Sequence, residues 1–328
     1  MRKIYIFLLL FILLITACFF FLFNDNNYSS IDNTFSYKKT DSLTRIFLSD
    51  RKGNNINLEK KNHKWILNNK HSVRNDAIET LLSTISNVQI RRSVSNSEFN
   101  TVVKNLATYG VKVELYSNNK KPVKVYTVGG STKDHLGTYM IMNGSKEPFV
   151  THITGFNGFL YPRYGIQANE LQISSWRDTK IFNIDAASIK SVGVFHANNP
   201  KSSFQIEIDT TSLDFSLLVK DYKGNQINYN KVNTINFLKN FTAINCEAFK
   251  NERRSLIDYK DPIHIISLHH LNGIDTLRLY SMQNDNNFNP EFNFNVERMY
   301  ATLNNQELML VQNYVFNKLL ITISDLKN

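Results

Sequence analysis

The densest group of residues able to do chemistry is Val128-Gly129-Gly130-Ser131-Thr132-Lys133-Asp134-His135-Leu136-Gly137-Thr138. Backbone NH groups around paired glycines can hold an anion, and Lys133 can assist. Gly129, Gly130, Ser131, Thr132, Lys133 and Asp134 are therefore the candidate ligand-binding set. The spacing fits neither a Walker loop nor a dinucleotide fingerprint, and no helical pattern follows it. A wide turn between two strands, with glycines at positive φ, explains the same residues without a ligand. Ser131, Asp134 and His135 could suggest hydrolysis. As sequence neighbours they point in different directions and form no nucleophile elbow, so no catalytic residue is assigned.

Eight histidines are scattered, most densely in Ile263-His264-Ile265-Ile266-Ser267-Leu268-His269-His270. On a strand His264 and His270 share a face while His269 points the other way. A metal would need a third ligand, and no acid in the strand supplies one, so surface or edge-strand histidines are expected and no metal site or cofactor is assigned. Thr154 to Gly165 is rich in aromatics and carries Arg163, the composition of recognition surfaces. Tyr161, Arg163 and Tyr164 are the candidate interface residues. Phe156 and Leu160, which recur later as Phe316 and Leu320, are expected in the core.

These groups need a scaffold, and the first question is where it sits. Ile4 to Phe23 is a run of 20 residues without a charge, preceded by Arg2 and Lys3 and followed by Asn24-Asp25-Asn26-Asn27. A helix of that length spans roughly 30 Å, the thickness of a bilayer's hydrocarbon core. The flanking charges place the N-terminus in the cytoplasm and the rest of the chain outside it. Ile15-Thr16-Ala17-Cys18 also fits a lipobox, which would make Cys18 a lipidation site and the preceding run a signal peptide. Five further apolar residues, Phe19 to Phe23, favour an uncut anchor over that alternative.

Cys246 is then the only cysteine in the exported part, so no intrachain disulfide forms there. Gly (12) and Pro (6) are too few for a collagen-like or Gly/Pro-rich disordered chain. The net charge of +10 is dispersed, and nucleic acid is not an expected partner.

Residues 24–42 read as a polar tether. Arg45 to Leu48, Ile56 to Leu58 and Lys64 to Leu67 alternate as strands. Ile78, Leu81, Leu82, Ile85 and Val88 share one helical face, with Asn75 or Asp76 as cap. Ser95-x-x-Glu98 opens a second helix that Gly110 stops, and strands follow at 111–116, 123–128, 138–142 and 148–152.

The second half repeats this order. Leu81, Leu82, Ile85 and Val88 return as Phe237, Leu238, Phe241 and Ile244, and Trp65 as Phe215. Val111 and Val113 match Ile263 and Ile265, and Val125-Tyr126 matches Leu279-Tyr280. The expected fold is α+β: β-rich antiparallel sheets with a few helices, in two tandem copies of one unit, residues 43–173 and 174–328. They follow the N-terminal transmembrane segment, 1–23. Trp176 is expected at the junction of the copies.

Several motifs together resemble a known family. They are Gly53-x-x-Ile56-x-Leu58, Trp65, Leu106-Ala107-x-Tyr109-Gly110-Val111-x-Val113-Glu114-Leu115-Tyr116, the glycine segment up to Met140, and Gly155-Phe156-x-Gly158. From about Thr44 onward the chain resembles the bacterial family known as domain of unknown function 4340. Thr154 stands where that pattern has Pro. The resemblance implies a membrane-anchored envelope protein, in some bacteria associated with ABC-transporter systems related to gliding motility, and it brings no catalytic residues. The expected role is a non-enzymatic accessory or scaffold in an envelope protein complex. The alternative is an extracytoplasmic binding module for wall glycan, lipid or a small ligand.

Overall fold

Strand-period alternation along both halves dictates sheets with one strongly apolar face, and the computed structural model has two of them, one per unit. The chain divides into Met1–Arg177 and Asp178–Asn328. The structure describes residues 34–209, 216–283 and 294–327. The expected membrane segment 4–23, Cys18 and Phe215 lie outside the described residues. Among those described, no helix is long and apolar enough to cross a membrane.

The first unit runs β1 (Arg45–Ser49), β2 (Asn55–Lys61), β3 (Lys64–Leu67), β4 (His71–Ser72), α1 (Asn75–Asn87), β5 (Gln89–Ser93), α2 (Asn96–Tyr109), β6 (Val111–Tyr116), β7 (Lys124–Ser131), β8 (Thr138–Met142) and β9 (Pro148–His152). Its sheet has the order β4-β3-β2-β1-β6-β7-β8-β9-β5. A small hairpin follows, β10 (Ile166–Gln167) with β11 (Glu170–Leu171).

In the second unit β12 (Lys180–Phe182) leads to β13 (Ile189–His196), β14 (Phe204–Asp209), β15 (Ser216–Asp221), α3 (Lys231–Lys239), β16 (Ile244–Asn245), β17 (Ala248–Phe249), β18 (His264–His270), β19 (Gly273–Gln283), β20 (Phe294–Leu303), β21 (Leu308–Gln312) and α4 (Asn313–Phe316). The sheet order is β15-β14-β13-β18-β19-β20-β21-β17, while β12 pairs with β16.

Each sheet starts with a meander, passes through a helix to an edge strand, and finishes with a four-strand meander. In each, the edge strand pairs antiparallel with the last strand, β5 with β9 and β17 with β21. The faces are filled alike too. In the first unit Ile78, Leu81 and Ile85 of α1 join Ile46, Val113, Tyr126 and Met140 on one face. On the other face, Val102 and Leu106 of α2 cover Val150 and Tyr139. In the second unit Phe237 and Leu238 of α3 meet Val192, Ile266 and Leu279. The reverse face there holds Tyr280, Tyr300 and Leu308 under Ile257 and Tyr259.

The residues matched between the halves share burial around the helices and differ in some strands. Leu81 and Ile85 of α1 and Val88 just after it are buried, as are Phe237 and Leu238 of α3 with Phe241 and Ile244 beyond it, while Leu82 is half-buried. Ile263 and Ile265 do not occupy the core positions of Val111 and Val113. Ile266 and Leu268 do, because a one-residue shift sends a strand's side chains to the opposite face. By the same slip Leu279 takes the place of Tyr126. Phe316 is buried as expected, but Phe156 is exposed at the tip of a turn. Trp176 lies in the core of the first unit, 1% exposed, against Gly165. Gly165 has φ +71, and a Cβ there would sit 2.3 Å from the indole nitrogen. Asn75 and Asp76 lie inside α1, and the N-cap position falls to Arg74, which makes no side-chain capping bond.

The largest departure concerns the tether, because residues 34–42 belong to the domain. Phe35 is 1% exposed and makes edge contacts with Tyr126 and Phe149, at 5.9 and 6.3 Å between ring centroids. The Tyr37 amide donates to the Ile85 carbonyl over 2.9 Å. The Lys124 ammonium donates to the Thr34 and Ser36 carbonyls, and Lys38 to that of Ser86. Phe35→Ala is therefore expected to destabilise the first unit by about 3–5 kcal/mol. Denaturant unfolding of the full chain checks this, and an unchanged midpoint would return residues 34–42 to a tether.

Candidate functional site

The glycine segment occupies the end of the first sheet opposite to where the chain enters it. Gly129 and Gly130 lie inside β7, and neither has positive φ; in the loop that conformation falls to His135, at φ 58. The β7–β8 register shifts between Val128 and Ser131, a bulge at the two glycines. Gly129 is needed for close approach, since a Cβ there would lie 2.7 Å from a Leu106 methyl and 3.1 Å from the Tyr139 carbonyl oxygen. Gly137 is equally tight, with the Val150 side chain at 2.5 Å, while nothing lies within 4 Å at Gly130.

Three amides of the turn already have acceptors. Thr132 donates to the Gly137 carbonyl and His135 to that of Thr132, both over 3.0 Å. The Leu136 amide donates to Asp134 Oδ1 at 3.1 Å. The Thr132 hydroxyl also donates to Asp134, and this bond, with those from backbone amides, holds the Asp134 carboxyl below the usual range. An incoming anion would have to displace that carboxylate. Ser131 Oγ lies 3.4 Å from His135 Nδ1, but Asp134 turns toward Thr132 and Leu136 and away from the imidazole. Lys133 is exposed.

The fold joins this loop to the second aromatic-rich segment. Thr138 Oγ1 accepts from the Leu160 amide at 2.6 Å. The His135 ring meets Phe159 at 5.8 Å, and Phe159 stacks on Tyr161 at 4.6 Å and 14°. Arg163 lies over the Phe156 ring at 4.9 Å and donates from Nε to Thr84 Oγ1 at 2.7 Å. Of the three interface candidates, Tyr161 and Arg163 are half-buried. Tyr164 is not on the surface at all: it is fully buried, with its hydroxyl 3.2 Å from that of Tyr126. Burial pushes both phenols up. The result is a ridge, His135–Phe159–Tyr161, flanked by Leu136 and Phe156, which are 42% and 36% exposed. Phe159 was legible only as part of an aromatic stretch, because its partner comes from a loop more than twenty residues earlier.

The histidines of the 263–270 segment are neither exposed nor on an edge strand. β18 is an interior strand, and His270 and His196 are buried. His270 Nε2 lies 3.2 Å from Asp275 Oδ2, an acid from the neighbouring strand. His196 Nδ1 is 2.9 Å from His264 Nδ1, and His196 Nε2 is 3.0 Å from the Ile321 carbonyl oxygen, to which it can donate. Desolvation, with His196 alongside, pushes His264 down to about 4. Among the described residues no group of three or more His, Cys, Asp or Glu could hold a metal ion.

Two measurements follow from this geometry. Gly129→Ala is expected to cost about 1–3 kcal/mol by overpacking, and Gly130→Ala less than about 0.5 kcal/mol. Equal costs in chemical unfolding would contradict a packing role. For His264, the unfolded chain takes up the proton first. Stability is then complete above about pH 6.5, falls as the pH drops from there to about 4, and levels below. The melting temperature should fall by about 2–4 °C more between pH 7 and pH 5 in the wild type than in His264→Asn. Parallel pH profiles would refute this.

Compared with known families, residues 65–262, well over half of the chain, match the model of a domain of unknown function (DUF4340). No curated protein and no solved structure matches the chain.

Proposed function

The chain belongs to the DUF4340 family, and from that premise we propose that it is a membrane-anchored protein of the bacterial cell envelope, a non-enzymatic accessory or scaffold that works through protein contacts. The anchor is the uncharged stretch 4–23, and Arg2 and Lys3 orient it with the following units outside the cytoplasm. The two units descend from duplication of one ancestral sheet. Their shared connectivity supports this, down to an edge strand returning to pair with the last strand.

The observation that carries the scaffold reading is the ridge of His135, Phe159 and Tyr161 with exposed Leu136 and Phe156 beside it. Stacked aromatics bordered by apolar side chains and an arginine have the composition of protein-contact hot spots. The Thr132, His135 and Leu136 NH groups are committed to Asp134 and to carbonyls of the same turn, which favours contact through side chains over a cradle for a small anion.

Cross-linking in native membranes followed by identification of the attached proteins tests this reading. The double variant Leu136→Ser/Phe156→Ser changes exposed groups and should leave folding intact. It is expected to lose the cross-linked partner by about tenfold or more. Recovery of no reproducible partner, or undiminished recovery with the variant, would count against the scaffold.

A further inference from the structure

The two ends of the first sheet differ in charge. β1 begins, and β2 and β6 finish, at the end where Thr34 enters the domain. Lys38 and Lys39 lie in the entering segment itself. Lys60, Lys61 and Lys64 surround the turn from β2 to β3. Lys120 and Lys121 project from the loop between β6 and β7, and Lys124 grips the entering chain by its carbonyls. Arg45, 3.7 Å above the Tyr116 ring, completes the set.

Against these nine cations stand Asp41, Glu59, which is paired with Lys61, and Glu114, which accepts from the Tyr116 hydroxyl, lies near Arg45 and also pairs with Lys112; on the neighbouring turn Lys146 and Glu147 offset each other. Thr44, Arg45, Glu59, Lys60, Tyr116 and Lys120 line an open cleft of about 490 Å³ in the middle of this end. The far end is mixed, with Lys52 paired to Glu170 and Arg91 facing Asp134.

We infer that this basic end of the first unit lies against a surface of anionic lipid. The inference rests on the proposed anchoring through residues 4–23. Because Phe35 is in the core, only residues 24–33 separate the apolar stretch from the folded domain. Ten residues reach at most about 35 Å even when fully extended. The basic end, being the point where the chain enters, is the part of the first unit held closest to the bilayer. Each lysine near an anionic surface strengthens adherence by about fivefold, within a screening length of about 8 Å at physiological salt. A tether would let the domain turn freely, whereas ten residues ending in a lysine-lined rim give it a preferred face.

The test uses the full chain reconstituted in vesicles of phosphatidylcholine alone or mixed with phosphatidylglycerol. An amine-reactive label is followed at Lys60, Lys64, Lys120 and Lys121, with Lys133 at the opposite end as internal reference. Labelling of the basic end relative to the reference is expected to slow by about fivefold in the mixed vesicles. About 1 M salt should restore it. Lys120→Gln/Lys121→Gln, both exposed, should lose most of the protection at Lys60 and Lys64.

Equal relative labelling in the two vesicle types, or protection that ignores salt, overturns the inference. So does protection produced in neutral vesicles by a soluble polyanion, polyphosphate, but not by phosphatidylglycerol, which would assign the end to a wall polymer. Retention of the chain on vesicles through an alkaline carbonate wash reports on the anchor separately. A chain that is retained but unprotected sinks the basic-end inference alone. A chain that washes off yet is protected in mixed vesicles sinks the anchor alone.

Discussion

A single antiparallel sheet has two faces, and one helix cannot keep both from water; much of this protein's sequence is the consequence. In the first unit α1 closes one face and α2 half of the other, and the second closure is the tighter. At Gly129 and Gly110 a Cβ would come within 2.7 and 2.5 Å of side chains across the α2–sheet contact, from Leu106 and Thr127 respectively. The motif that most suggests ligand chemistry in the sequence is thus the place where a helix approaches a sheet too closely for any side chain. Glycine serves both purposes, and only the contact partner distinguishes them. The second unit covers the matching region with Ile257 and Tyr259, and needs no equivalent glycine motif there.

What could be read beforehand follows the range of the interaction involved. Strands and helices are local patterns, so β1, β6, β8, β9 and the core side of α1 follow directly from alternation and helical spacing. Facing is less secure, because Ile265 and Ile266 are equally apolar and the choice between them depends on which neighbour the strand pairs with. Phe35 was hidden for a related reason. One aromatic in a polar run has no period, and its value comes from Tyr126 and Phe149, about 90 and 114 positions away. Likewise the partner of His270 is Asp275, across a hairpin, and that of His264 is His196, on an adjacent strand. Side-chain pairs of this sort leave no trace in spacing.

The candidate site was legible in its parts and not in its assembly. Two segments stood out in composition, and folding brings them together through His135 on Phe159 and through the Thr138 hydroxyl under the Leu160 amide. The same folding withdraws Tyr164 into the core, where the sheet needs an aromatic against Tyr126. The first unit thereby acquires two unlike ends, a lysine-lined one where the chain enters and an aromatic one where the β7–β8 turn and the segment after β9 meet. A short connection to a membrane would turn that difference into an orientation, with the aromatic ridge facing away from the lipid and available to other proteins.

The strongest short identity between the two units has a local origin. Asp50-Arg51-Lys52-Gly53-Asn54 and Asp221-Tyr222-Lys223-Gly224-Asn225 differ at one position. They also fold alike: each Asp Oδ1 accepts from the amides two and four residues on, and each glycine has φ near +90. Yet the first joins β1 to β2, and the second follows β15, which occupies the place of β3. These turns are not equivalent under the shared connectivity. An Asp that captures two amides around a left-handed glycine is a cheap local solution, reached wherever a strand must reverse. The return of an edge strand to the last strand of the meander has no such local cause, since β5 and β9 are separated by one helix and three strands. The proposed common descent of the two units therefore rests on topology, and the matching pentapeptide adds nothing to it.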